Sequence, residues 1–297
     1  MDKNPLISVV IPVYNCPEKL ENALNSLGKQ AFKDFEVIIC DSSRPGLKNI
    51  TDDYARLLTI KYIWEEGRGG PAHARNSAIK IAVGQYIAFL DADDWWYPNK
   101  LETITRYLSG ADVVYHDLDI YLPGGKKISK KIKGRNLKHP VFIDLMRNAN
   151  ALITSGVAIR KDMIEKAGGF IEGEILEDFE LWLKISRITE NFFYIPQSLG
   201  AYLLDTGTRS SASEKMARML KNVYEKYLVF LAQKDKEQAK TVMCYLLGRI
   251  NQKIGSPGEA MRLFRISAHS HNLKYKMRSI CWIFLLTLCP QFSKNIK

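Results

Sequence analysis

Three carboxylates crowd the end of a short apolar run in Phe89-Leu90-Asp91-Ala92-Asp93-Asp94. Like charges this close raise one another's pKa unless a cation neutralises them. A divalent ion with oxygen ligands, Mg²⁺ or Mn²⁺, is the natural cation, and such an ion bridges a carboxylate to substrate phosphates. The competing reading is a solvated turn in which Asp93 or Asp94 caps the next element. Asp41 closes a second apolar run, residues 35–40. A carboxylate there can accept a hydrogen bond from a nucleotide's base or ribose, or form an Asx turn into Ser42 and Ser43. Arg75, in Ala74-Arg75-Asn76, follows a Gly-rich stretch over residues 66–71. A guanidinium in that place suits a pyrophosphate or a base, and equally a surface ion pair. Farther on, Glu177-Asp178-Phe179-Glu180-Leu181-Trp182-Leu183 opens with two acidic residues. They suit the positive end of a helix macrodipole. Asp178 also has the chemistry of a general base, because a hydroxyl nucleophile needs a positioned carboxylate to take its proton.

These side chains need elements that bring them together. The β-branched run 7–12, closed by Pro12 and the Tyr14-Asn15 turn, reads as a strand, as do 35–40, 59–64, 86–90 and 111–115. Helical spacing runs over 18–30, with Leu20, Ala23, Leu24 and Leu27 on one face, and over 51–58 and 72–83. Strands alternating with helices imply an α/β fold whose mostly parallel sheet is covered on both faces. Ligands bind such sheets beyond the carboxyl ends of the strands, which is where Asp41, Asp91 and Asp93 fall. Residues 122–139, polar and rich in Gly and Lys, predict a loop or hairpin. A strand over 153–159, a helix ending at Gly168-Gly169 and another starting near Glu177 follow. After Ser213 the pattern turns helical. Residues 245–253 and 258–269 read as a helical hairpin broken at Gly255-Ser256-Pro257-Gly258. It has the small-residue spacing of one tetratricopeptide-like unit, and a single unit is a packing element rather than an array.

The 297 residues suffice for one large α/β domain and an appendage, and 46% hydrophobic with 25% charged residues excludes sustained disorder. The net charge of +11 is concentrated at one end: residues 214–297 hold 16 Lys and Arg against 5 Asp and Glu, and residues 1–213 hold 27 of each. This asymmetry suggests an acidic partner for the tail, such as a membrane surface or a phosphate-bearing acceptor, with a solvated helical face as the alternative. No aromatic interleaving or reading module accompanies these cations, so nucleic acid is not the expected partner. The five cysteines form no Cys-x-x-Cys pair and no zinc spacing, which argues for a reducing compartment. The N-terminal residues carry no signal-peptide pattern. The apolar run 280–288 is shorter than the about 20 residues that cross a bilayer. Beside Lys274, Lys276, Arg278 and Lys294 it fits a helix lying in a membrane interface, or a buried terminal helix. The expected location is cytoplasmic, with peripheral contact at the inner face of the plasma membrane.

Taken in order, six stretches resemble glycosyltransferase family 2, the inverting enzymes of GT-A (Rossmann-like) fold. They are Val9-Val10-Ile11-Pro12-Val13-Tyr14-Asn15, Val37 to Asp41, Ala74-Arg75-Asn76, Phe89 to Asp94, Gly168-Gly169-Phe170 and Glu177 to Leu183. The resemblance implies a GT-A domain over 1–213, with a nucleotide-sugar half over 1–115 and an acceptor half over 116–213, followed by a basic helical extension over 214–297. It implies transfer of a sugar from a nucleotide-sugar donor, usually a UDP-sugar, to an acceptor hydroxyl with inversion at C1. Pro12, Val13, Tyr14 and Asn15 would line the nucleotide pocket, with Tyr14 against the base. Asp41 would hold the base and Arg75 would help. Asp91-Ala92-Asp93 is similar to the family's Asp-x-Asp motif, with Asp91 and Ala92 facing the donor and Asp93 binding Mn²⁺ or Mg²⁺ on the diphosphate. Asp178 resembles the base that deprotonates the acceptor, with Glu177, Trp182 and Ser155 on the acceptor side. The implied acceptor is a lipid-linked or surface glycan of bacterial polysaccharide synthesis.

The chain departs from the pattern in three places. Asp41 is followed by Ser42-Ser43-Arg44 where many relatives have Asp-Gly-Ser. Ile171 replaces the Asp of Gly-Gly-Phe-Asp-Glu, and Leu203 stands after Tyr202 where relatives often carry Arg; Arg209 is the candidate to take over a diphosphate contact. The Gln-x-x-Arg-Trp motif of processive members is absent, so single addition is expected. Among rivals, a phosphatase-like Asp-x-Asp nucleophile belongs on a first strand. A nucleotidyltransferase needs a Gly-rich basic loop after that strand, and Pro12 to Pro17 lacks one. A non-catalytic nucleotide-sugar-binding or scaffold protein is the remaining alternative, opposed by the joint presence of Asp41, Asp91, Asp93 and Asp178.

Overall fold

Continuous apolar runs build the centre of the molecule. β1 (Ile7–Val13) and β2 (Phe35–Asp41) are buried along nearly their whole length, as strands covered on both faces must be. Between them α1 (Pro17–Gly28) starts at a proline, which suits the first turn of a helix, and buries Leu20, Ala23, Leu24 and Leu27 as their spacing predicts. The computed structural model describes residues 4–67, 69–173, 175–204 and 212–288. The chain continues through α2 (Lys48–Tyr54), β3 (Ile60–Trp64), α3 (Gly70–Ile81), β4 (Tyr86–Phe89), β5 (Trp95–Trp96), α4 (Lys100–Leu108), β6 (Val113–Tyr121) and β7 (Lys127–Ile132). Then come α5 (Val141–Asn148), a 3₁₀ turn (Thr154–Gly156), β8 (Val157–Arg160), α6 (Lys161–Lys166), α7 (Glu177–Ile185) and β9 (Phe192–Leu203). Four helices close it: α8 (Glu214–Leu228), α9 (Gln233–Lys253), α10 (Pro257–Ser267) and α11 (Leu273–Leu288).

The nine strands among the described residues form one sheet in the order β3-β2-β1-β4-β8-β6-β9-β5, with β7 on β6. β3, β2, β1 and β4 are mutually parallel, and β9 runs parallel to β6. β8 is antiparallel to both its neighbours, β4 and β6. Because Ala88 pairs with Ala158, the start of β8 lies beside the end of β4. The 3₁₀ turn is thereby delivered to the carboxylates that follow Phe89. One face of the sheet packs Ile7, Val9, Ile11, Val37 and Ile39 against α1 and α4, and α3 contacts β1 and β2.

Three elements differ from expectation. The strand expected over 153–159 begins as the 3₁₀ turn, and only Val157–Arg160 is extended. β6 runs on past the expected end at Tyr115 to Tyr121, with His116, Asp117 and Asp119 buried in it. Asp117 accepts hydrogen bonds from the Gly134 amide (2.9 Å) and the Tyr194 hydroxyl (2.6 Å), so its buried carboxylate is answered. β9 carries no strand signal because Pro196 and Gly200 interrupt it; the register with β6 slips between Ile195 and Ser198, where a proline is tolerated.

By contact, the described residues fall into two compact units. One holds those of Met1–Lys138 and Ala151–Asp205; the other holds those of His139–Asn150 and Thr206–Lys297. In the second unit Ser213 caps α8 by accepting from the Met216 amide (3.1 Å). The expected break between α9 and α10 falls at Gly255, whose φ of +84° suits a helix C-terminus. Gly248 lets the two helices close up: a Cβ there would stand 2.7 Å from the Phe264 ring. Helix α5 joins this unit through the Arg147–Asp235 ion pair (3.0 Å) and the Tyr275 hydroxyl, which donates to the Asn148 carbonyl (2.8 Å).

Candidate functional site

The site gathers where β1, β2 and β4 end. After β4 the chain turns through Asp91 to Asp94, with the Asp94 amide bonded to the Asp91 carbonyl at 3.0 Å. Asp94 points inward and is 1% exposed. Its carboxylate accepts from the Ser155 hydroxyl (2.5 Å) and the Leu203 amide (3.1 Å). Burial first, then the charges of Asp93 and Asp91, push its pKa well above the usual carboxylate range. Asp94 therefore anchors the acidic turn to the 3₁₀ turn and to the end of β9. Ser155 completes the anchor: its oxygen also accepts from the Asp91 amide (3.1 Å), and its carbonyl accepts from the Trp96 indole (2.8 Å).

Arg75 sits on α3 with its side chain 5% exposed, between two carboxylates. One nitrogen donates to Asp91 (2.6 Å) and another to Glu177 (3.0 Å), while the guanidinium carbon lies 5.3 Å from the centre of the Phe170 ring. Burial opposes its charge, but Asp91 and Glu177 outweigh burial and hold it protonated. Phe170 is itself fixed by Asn76, one turn-mate of Arg75. The Asn76 oxygen accepts from the Phe170 amide and its nitrogen donates to the Phe170 carbonyl, each at 2.9 Å. Gly169, at φ +69°, is needed beside it, since a Cβ would come within 2.8 Å of the Asn76 oxygen. The Ala-Arg-Asn and Gly-Gly-Phe stretches thus form one joint. Its outer edge is His73, bridging Glu65 (2.6 Å) and Glu172 (2.9 Å). With acceptors on both ring nitrogens, its pKa is raised, by Glu172 first.

Beyond the joint, Leu176 takes a left-handed φ of +72°, which is costly for a branched residue, and α7 begins directly with Glu177 and Asp178. Asp178 accepts from the Phe179 amide (2.7 Å) and from the Thr154 hydroxyl (3.2 Å). Loss of water around it and the charge of Glu177 raise its pKa from 3.8 to about 6, against the pull of the Phe179 amide, Arg75 and Thr154. A carboxylate that releases its proton this close to neutrality has the character of a general base.

On the other side, Tyr14 is 65% exposed at the end of β1. Asn15, at φ +48°, ties this loop to the one after β2: its amide donates to the Ser43 hydroxyl (2.8 Å), and its side-chain oxygen accepts from the Arg44 amide (3.1 Å). Pro12 is half-buried and Val13 buried beneath them. Cys16, in the same loop, has its pKa raised by burial first and then by the charges of Asp93 and Asp41, against the Tyr14 backbone and Lys19. Ala92 is buried and Asp93 half-buried.

The structure places four expected site residues differently from a ligand-facing role. Trp182 is fully buried, with its ring 6.3 Å from Phe89, so it builds core and not a sugar platform. Ser155 is fully buried and its hydroxyl is engaged by Asp94 and Asp91. The Arg75 guanidinium is taken up by two carboxylates. Asp41 is fully buried; it accepts from the Ser43 and Leu47 amides (2.8 and 2.6 Å) and the Tyr62 hydroxyl (2.6 Å), the Asx-turn arrangement. Conversely, Thr154 and Asn76 hold the site and are not among the expected site residues: Asn76 is visible in the sequence only as the end of the Ala74-Arg75-Asn76 stretch, and Thr154 acts through a partner distant in the chain. Arg209 lies outside the described residues.

Among the described residues no group of three His, Cys, Asp or Glu forms a ready-made metal cage. Asp91 is bound by Arg75 and Asp94 is turned inward, and the half-buried Asp93 is the third carboxylate of this turn. One hard oxygen donor fits Mg²⁺ or Mn²⁺, ions that take one or two carboxylates and complete their shell with substrate phosphates and water. The residues present therefore fit an ion shared with a diphosphate.

Comparison with known proteins bears on the family and the fold. A segment of 122 residues is 34% identical to WfaP of Escherichia coli, a UDP-Glc:alpha-D-GlcNAc-diphosphoundecaprenol beta-1,3-glucosyltransferase, covering 39% of this chain and 47% of WfaP. The match thus spans about half the length of that relative. The fold is similar to that of S. aureus TarS 1–349 in complex with UDP-GlcNAc, with TM-score 0.67 at 18% identity over 98% of this chain and 93% of that one. It is also similar to the Pyrobaculum calidifontis mannosyltransferase PcManGT in complex with GDP-Man and Mn²⁺, with TM-score 0.64 at 19% identity over 97% and 82%. Residues 8–168 match the family model described as Glycosyl transferase family 2, and with more than half its length so matched, the chain belongs to that family.

Proposed function

We propose that the chain is an inverting glycosyltransferase that moves a sugar from a UDP-sugar to a hydroxyl of a lipid-linked glycan in bacterial polysaccharide synthesis. The observation that carries this reading is the Arg75 bridge. It ties Asp91, on the donor side, to Glu177, the neighbour of a carboxylate whose pKa is raised to about 6. The names of WfaP and of the TarS complex support a UDP-sugar donor, and that of WfaP supports an acceptor on a diphosphate lipid.

In the proposed step the acceptor hydroxyl gives its proton to Asp178 as its oxygen attacks C1 of the donor sugar. The new C1–O bond forms on the face opposite the nucleotide. The old bond's electron pair leaves with the diphosphate, so an α-linked donor gives a β product. Thr154 and the Phe179 amide orient the Asp178 carboxylate, and Glu177 keeps its proton affinity high enough to accept. Tyr14 and Asn15 border the nucleotide, with Asp41 shaping their wall from beneath. Asp93 would hold Mg²⁺ or Mn²⁺, which when bound offsets the charge that develops on the leaving diphosphate.

Asp178→Asn tests the assignment. It should lower kcat by about 10²–10⁴-fold with donor affinity unchanged, as read by steady-state turnover and calorimetric titration of the UDP-sugar. Unchanged turnover would remove Asp178 from the mechanism. If neither protein turned over while both bound donor, the non-catalytic alternative would replace this reading.

A further inference from the structure

Helix α11 has two apolar faces. One is spent inside its own unit: Tyr275, Ser279, Trp282 and Leu286 are buried, and Trp282 stacks on Phe264 of α10 at 6.1 Å, with the Arg249 guanidinium 4.1 Å from its ring. The other faces outward. Leu273, Met277, Ile280, Phe284 and Leu288 recur at steps of three and four, so they share one side of the helix. They are 69%, 51%, 43%, 61% and 62% exposed. Rows of large exposed apolar side chains mark interaction surfaces. At about 100° per residue, Lys274 and Lys276 fall on the two flanks of this row, with Arg278 farther round, and all three are exposed.

We propose that this row is a docking surface for an anionic lipid membrane. α11 lies in the interfacial plane, with its apolar row at the acyl boundary and Lys274, Lys276 and Arg278 at the lipid phosphates. Charge selects this occupant. After Glu259 the sequence has no Asp or Glu and seven Lys and Arg. A second copy of the chain, paired through the same row, would set these cations against their own kind. Depth is selected too: among the described residues no helix is long and apolar enough to cross a membrane, so α11 lies on it. The surface is independent of which acceptor the enzyme uses and stands even if the sugar goes to a soluble one.

The test is flotation of the full chain with vesicles of phosphatidylcholine alone, and with phosphatidylglycerol added, at low and high salt. The wild type floats with the anionic vesicles only, and less in high salt. Met277→Glu/Phe284→Glu and Lys274→Glu/Lys276→Glu each lower the partition coefficient about tenfold or more. Leu57→Glu, at a 69% exposed apolar residue of the other unit, leaves it unchanged. Circular dichroism melts confirm that each variant folds, and Phe284→Gln, a milder change on the same row, gives an intermediate loss. Three results would overturn the proposal: a wild type that stays unbound, row variants that float like wild type, or a wild-type dimer that Phe284→Glu dissociates.

Discussion

Asp178 draws its proton affinity from lost water and from Glu177, and Thr154 holds the ionised form. If it is the base, kcat/KM falls with decreasing pH through about 6 as the carboxylate takes up a proton. Thr154→Val removes a hydrogen bond to the charged form, so the acid limb moves up by roughly one unit, and Thr154→Ser restores it. A Thr154→Val profile identical to wild type would detach this hydroxyl from the base. The same shift has a cost in stability. Between 3.8 and about 6 the folded chain keeps a proton on Asp178 that the unfolded chain releases, so this group's contribution falls as pH rises through that window. Asp178→Asn should therefore be more resistant to denaturant than wild type at pH 7 while being inactive. A loss of stability at pH 7 would contradict the account. The carboxylate types and their places at strand ends were legible in the sequence, but their directions were not. Asp41 and Asp94 have the same chemistry as Asp93, and the sequence does not show that the distant Tyr62, Ser155 and Leu203 turn them inward.

At the scale of elements, the site depends on strand β8 running backwards. That reversal sets the 3₁₀ turn beside the acidic turn, so Thr154 reaches Asp178 and Ser155 reaches Asp94. Elsewhere α3 is fastened to the chain before α7 by Asn76, whose amide completes the backbone of Phe170 as a neighbouring strand would. Asn76→Ala strips both bonds from a buried residue, and should cost about 1–3 kcal/mol in denaturant unfolding. It should also weaken turnover, because Phe170 lies under Arg75. No change in either would mean that the joint bears no part in positioning the ion pairs. The parallel strands β1 to β4 could be read from their β-branched runs. β9 and the second half of β6 could not, since the burial of Asp117 and Asp119 depends on partners far along the chain, and Pro196 and Gly200 break the period that a strand normally shows.

On the scale of the whole molecule, the charge divides more cleanly than the chain. Residues 1–213 are neutral and the +11 excess lies beyond them, yet α5, from the middle of the sequence, groups with the C-terminal helices. The charge asymmetry is a property of composition and was visible at once. The grouping of α5 rests on contacts such as Arg147 with Asp235, which no local pattern announces. The proposed function rests on donor chemistry: the loops after β1 and β2 would take a nucleotide, one carboxylate an ion on its diphosphate, and another the acceptor's proton. The most direct measurement is turnover of UDP-, GDP- and dTDP-sugars by the purified chain, with Mn²⁺ and with chelator, beside Asp93→Ala. The account predicts turnover of a UDP-sugar that needs the metal and is lost by at least about 10²-fold in Asp93→Ala. No binding or turnover of any nucleotide-sugar under either condition would contradict it.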